Sequence, residues 1–164
     1  MQQSGSSPQS NPQQSNQPVN CGSQLPNGTT VASNVQQASQ NIDNDILTAA
    51  NGGGDPSSAM FASYLSQVGS NGPLDFKNNF RGQADAGFLG QAGNFAFGAL
   101  STSIFGSGAF GQYMALSGAG VYAFGAGKLG SGIPFVVRPY GADPSAQANV
   151  PRGVTATCSA STSK

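Results

Sequence analysis

Residues 86–127 read AGFLGQAGNFAFGALSTSIFGSGAFGQYMALSGAGVYAFGAG. No side chain between Asp85 and Lys128 is charged, and the six acidic and six basic residues of the chain all lie outside this stretch. Gly, Ala and Phe dominate it. It reads either as the core of a small helical domain or as a helical hairpin able to enter a bilayer. Gly106-Ser107-Gly108 divides it into one helix over residues 94–104 and a second over 109–127. In the second, Gly111, Ala115, Ala119, Ala123 and Gly127 recur every fourth position. They form a ridge of small side chains along which a neighbouring helix can lie close. Gln91, Asn94, Ser101, Thr102, Ser103, Gln112 and Ser117 interrupt the apolar run, and its flanks lack a Lys/Arg bias. A close-packed helical pair is therefore preferred over a membrane hairpin.

Upstream, residues 1–27 are mostly Gln, Ser, Asn, Pro and Gly. Such a composition buries too little apolar surface to offset ordering entropy, so a disordered linker is expected. Over residues 29–50, Val31, Val35, Ala38, Ile42 and Ile46 mark one helical face, with Asn27 or Thr29 as candidate cap. A second helix follows a cap at Asp55 or Ser57, with Met60, Phe61, Tyr64, Leu65 and Val68 as its stripe. Asp75, Lys77, Arg81 and Asp85 then form a charged collar before the charge-free stretch.

Downstream, residues 133–137 read as a short extended segment, kept to an edge by Pro134. A last helix is expected from Pro144, with Asp143 as its cap, to about Gly153. The final residues read as a frayed tail. The expected fold is mainly α: a small helical domain with a close-packed Gly/Ala-rich helical pair, little or no sheet, and a long disordered N-terminal segment. Its divisions are a polar linker over 1–27, two amphipathic helices over 28–69, a domain over 70–155 and a tail over 156–164.

Absences narrow the chemistry. The chain has no His and no Glu, which rules out Ser–His and Cys–His nucleophile pairs and zinc sites built on His. Zero net charge provides no long-range field to gather nucleic acid, so any such contact rests on a few local cations. Cys21 and Cys158 stand in the two polar ends. Two unrelated thiols is the reading favoured by spacing, with a disulfide tying the tails as the alternative. No signal-peptide pattern opens the chain.

Three segments resemble one family. They are Gly72-Pro73-Leu74-Asp75-Phe76-Lys77, then Gly93-Asn94-Phe95-Ala96-Phe97-Gly98, then Tyr140-Gly141-Ala142-Asp143-Pro144. In order and spacing they are similar to the polymorphic toxin type 44 domain, over residues 70–154. Phe97 stands where that family has Tyr, and Ala142 and Ala146 stand where it has Asp; Gln147 matches. The resemblance implies a C-terminal effector of large secreted bacterial proteins, often of the RHS-repeat kind. It would be delivered into competitor cells by a dedicated secretion system and countered by a cognate immunity protein. It implies a ribonuclease with no cofactor and no metal.

With His and Glu missing, a metal-free ribonuclease must draw its base from Asp or Tyr and its cation from Lys or Arg. The candidate residues are Asp75 and Lys77 in the first segment and Arg81 four positions on, with Asp143 as carboxylate and Tyr140 as proton donor. Other readings remain in play. These are a membrane-active toxin working through the 86–127 hairpin, a cell-wall hydrolase using paired carboxylates, and a decayed, inactive toxin cassette.

Overall fold

The computed structural model describes residues 18–125, Ala142, residues 144–156 and Cys158. Among these it is mainly helical, as the composition and periodicity predict. The only β pairing among them is an isolated bridge between Gln24 and Thr30. The expected extended segment at 133–137 lies outside the described residues.

Helix α1 (Val31–Asn51) buries Val31, Val35, Ala38 and Ile42, the face set by their spacing. Its cap is Thr30 rather than Asn27 or Thr29. Thr30 Oγ1 accepts from Ser33 N–H at 3.1 Å, and Ser33 Oγ accepts from Thr30 N–H at 3.1 Å. Asn27 instead shapes the preceding turn, its Oδ1 accepting from Thr29 N–H.

Helix α2 (Pro56–Val68) is capped by Asp55, whose carboxylate accepts from Ser57 and Ser58 N–H. Its buried face differs from the apolar stripe. Ser63, Tyr64 and Gln67 point inward, while Phe61 and Leu65 are exposed. The reason is the polar side of α1. Ser63 Oγ donates to Asp45 Oδ2 at 2.6 Å, and Asn41 Nδ2 donates to Gln67 Oε1 at 3.4 Å.

Helix α3 (Phe76–Asn79) is a single turn that leads into α4 (Ala86–Phe105). Helix α4 begins at Ala86, earlier than residue 94, because Asp85 caps it by accepting from Phe88 N–H at 2.8 Å. From Phe95 to Ser101 every residue of α4 is buried. A helix apolar on all sides must be surrounded, and α1, α3, α5 (Ala109–Gly125) and α6 (Pro144–Thr155) all pack on it. Gly106, at φ 82, turns the chain from α4 into α5. No helix of the described residues is long and apolar enough to cross a membrane.

The tightest crossing joins α4 to α6. A Cβ on Gly98 would overlap the Val150 carbonyl oxygen, and one on Gly153 would overlap the Phe95 carbonyl oxygen. Thr102 Oγ1 donates to Val154 O at 2.8 Å beside this crossing. The α5 ridge is used in part. Ala115 is fully buried and Gly111 abuts the Gly106 carbonyl, whereas Ala119 lines a cavity.

The chain between Pro18 and Asn27, expected as linker, is part of the folded body. Val19 and Leu25 are buried in the core. Cys21 and Cys158 are joined as a disulfide, so they are not two unrelated thiols. Ala32 N–H donates to Cys21 O at 2.9 Å, and Arg152 Nη2 donates to Val19 O at 2.8 Å. The N-terminal strap is thereby clasped to the C-terminal end of α6.

Tyr64 links α2 to the core. Its hydroxyl donates to Ser101 Oγ at 2.6 Å, and Ser101 Oγ donates to Phe97 O at 2.8 Å. Burial pushes the Tyr64 phenol well above its ordinary value of 10.0. The unfolded chain therefore releases this proton first as pH rises. Stability should hold below about pH 10 and then fall by about 1.4 kcal/mol per pH unit. Urea denaturation of wild type and Tyr64→Phe between pH 8 and 11 checks this. The variant should start about 1 kcal/mol less stable and lose less on the alkaline side. Parallel curves would contradict it.

Candidate functional site

The segment before α3 is built around Asp75. Its Oδ2 accepts from Asn71 N–H at 3.0 Å and Asn78 Nδ2 at 2.6 Å, and its Oδ1 accepts from Asn78 N–H at 3.4 Å. Asn79 Nδ2 donates to Gly72 O at 2.8 Å, and Leu74 N–H donates to Gln67 O at 3.0 Å. Phe76 is fully buried and pins the turn to the core. A turn held at both ends in this way presents Lys77 outward. Arg81 is likewise exposed, just beyond α3.

Lys77 and Arg81 flank a cavity of about 550 Å³. Its deep wall is apolar, formed by Leu74, Leu89 and Phe97. Its far side is the first turn of α6, where Ser145 and Ala146 face it. Asn94 Nδ2 of α4 donates to Ser145 Oγ at 3.0 Å, bridging the two helices at the edge of the cavity. Among the described residues neither cation has an ion-pair partner. Both cations are exposed and the Asp75 carboxylate lines the same cavity, so an anion there would be drawn by a local attraction that salt weakens.

The candidate residues are thus placed as follows. Asp75, Lys77 and Arg81 line one cavity. Asp143 and Tyr140 lie outside the described residues. The chain beside Asp143 does reach the cavity, through Ser145 and Ala146. Ala142 is fully buried and Ala146 is 3% exposed. Gln147 Nε2 donates to Ala142 O at 2.8 Å, fastening the approach to α6. Both oxygens of Asp75 are engaged by its own turn, so its evident work is to hold Lys77 in place.

Asn94 and Ser145 were missed by residue-type reasoning, because amides and hydroxyls are common and carry no charge signal. Asn94 does stand in the Gly93–Gly98 segment of the resemblance, which was the available hint. Among the described residues no three Asp or Cys side chains gather as a metal site. No family model matches this chain, and neither the curated proteins nor the solved structures provide a match.

Proposed function

We propose that this chain is a bacterial effector domain of the polymorphic-toxin kind, acting on RNA at the Lys77–Arg81 cavity. One observation carries the reading. The segments that resemble the toxin family are far apart in sequence, yet Asp75 and Lys77 of the first, Gly93 and Asn94 of the second, and Ser145 and Ala146, which directly follow the third, border one recess. Chance likeness in separate segments gives no reason for them to border the same recess.

In this reading Lys77 neutralises the charge that builds on the non-bridging phosphoryl oxygens when a 2′-hydroxyl attacks phosphorus, and Arg81 holds a neighbouring phosphate. Asp75 positions Lys77. Asp143 is the carboxylate assigned to take the 2′-hydroxyl proton, and Tyr140 the group assigned to protonate the departing 5′-oxygen. Delivery into a competitor cell and a cognate immunity protein belong to the same proposal.

The test is RNA integrity. Purified, disulfide-bonded protein is incubated with total bacterial RNA, beside Lys77→Ala and Asp143→Asn. Wild type should degrade the RNA. Lys77→Ala should be slower by about a hundred- to a thousandfold, the usual loss for a preorganised contact to a developing oxyanion. Its melting temperature should be unchanged, since an exposed charge adds little stability. RNA left intact by wild type, or equal rates for all three proteins, rejects the proposal.

A further inference from the structure

Helix α4 carries Gly90 on the wall of the cavity. Glycine inside a helix is destabilising relative to alanine, so its presence needs a reason. Packing supplies one for two other glycines of the same cavity. A Cβ on Gly93 would come within 3.2 Å of Leu74 O, and one on Gly118 within 3.0 Å of Phe97 Cζ. A Cβ on Gly90 would meet nothing within 4 Å. The bare backbone there leaves space in the cavity rather than relieving a clash.

The size and lining of that space fit one kind of group. Its volume lies in the range of small-molecule sites. Its inner wall is apolar, the Asn94–Ser145 pair adds an amide and a hydroxyl at one edge, and the cations stand at the mouth. A flat, largely apolar body with polar edges and a nearby anion describes a nucleotide. We infer that the cavity receives one unstacked base of a single-stranded RNA against the Gly90 face of α4, with its adjoining phosphates on Lys77 and Arg81. This inference rests on the RNA reading and narrows it. A base paired and stacked in a duplex cannot enter such a recess without being extruded. Gly90 is then a residue that determines specificity by what it leaves out.

The test uses the full, disulfide-bonded chain and a short single-stranded RNA carrying 2-aminopurine, whose emission reports unstacking. The same strand in a duplex and 2-aminopurine riboside monophosphate are the other probes. Wild type should bind the single strand with a change in emission and bind the duplex much more weakly. Gly90→Leu should weaken single-strand binding by about ten- to a hundredfold, the range for losing one base contact. Its melting temperature should equal or exceed that of wild type, and Gly90→Ala should show a smaller loss.

Equal binding by Gly90→Leu, or a duplex bound as well as the single strand, overturns the inference; RNA cleavage by the same protein would leave the RNA reading standing. Tight binding of the monophosphate with exclusion of the strand also overturns it, in favour of a free nucleotide. Base insertion without cleavage upholds the inference and rejects the catalytic reading. No binding of any probe rejects both.

Discussion

Reduction of the Cys21–Cys158 disulfide, or replacement of both cysteines by serine, is expected to lower the unfolding free energy by about 4–5 kcal/mol. The bond spans 137 positions of sequence, so it restricts almost the whole unfolded chain. The constraint grows only slowly with loop length, but this loop is near its upper end. A domain of this size is stabilised by about 5–15 kcal/mol in total, so the loss is a large share of what holds it. The strap that the bond secures is otherwise fastened by the buried Val19 and Leu25, a few main-chain bonds and the Arg152–Val19 contact. Urea denaturation with and without a thiol reductant, repeated on Cys21→Ser/Cys158→Ser, provides the measurement. Midpoints that coincide would mean that the strap holds without its covalent tie.

Gly98→Leu should abolish folding, and Gly98→Ala should destabilise by about 3 kcal/mol or more. At this crossing the obstacle to a new Cβ is a main-chain carbonyl of the facing helix, Val150 O, and not a side chain that can turn aside. Gly153, across the interface, meets Phe95 O in the same way and should respond alike. Room could come only from moving α6 off α4, which would break the Thr102–Val154 hydrogen bond and shift Ser145 away from Asn94. Gly90→Ala is the internal control on the same helix. Its new methyl group meets nothing within 4 Å, so it should be neutral or stabilising. Circular dichroism melts of the three variants decide the matter. A Gly98→Ala protein that melts with wild type would show that the two backbones are not in contact.

Residue spacing reached different depths in different parts of the chain. The α1 face was legible because Val31, Val35, Ala38 and Ile42 repeat with the helical period and sit opposite polar residues. The start of α4 was obscured by Gly87, Gly90 and Gly93, which depress helix propensity over its first turns. Asp85, a good cap, was the signal that outweighed them. On α2 the apolar stripe was right for Tyr64, Met60 and Val68 but not for Phe61 and Leu65, which are exposed, since Asn41 and Asp45 of α1 offer hydrogen bonds that draw Gln67 and Ser63 inward. Of the candidate site, Asp75, Lys77 and Arg81 were identifiable as a charged cluster, but the cavity beside them was not.

The sequence by itself determined that the chain is mainly helical, where α1 and α2 lie, and that the chain turns between α4 and α5 at Gly106-Ser107-Gly108. Periodicity, caps and breakers act within a few residues and are written locally. Only the tertiary structure decided that the closest helix crossing uses Gly98 and Gly153 and not the α5 ridge, that the strap from Pro18 folds against α6, and that Cys21 meets Cys158. A stripe of small residues states that a neighbour can approach, without stating which one. The spacing of two cysteines carries no distance in space. Those choices belong to contacts between segments remote in sequence, where the buried surface of α4 is shared among the other five helices and the best-fitting partners take it.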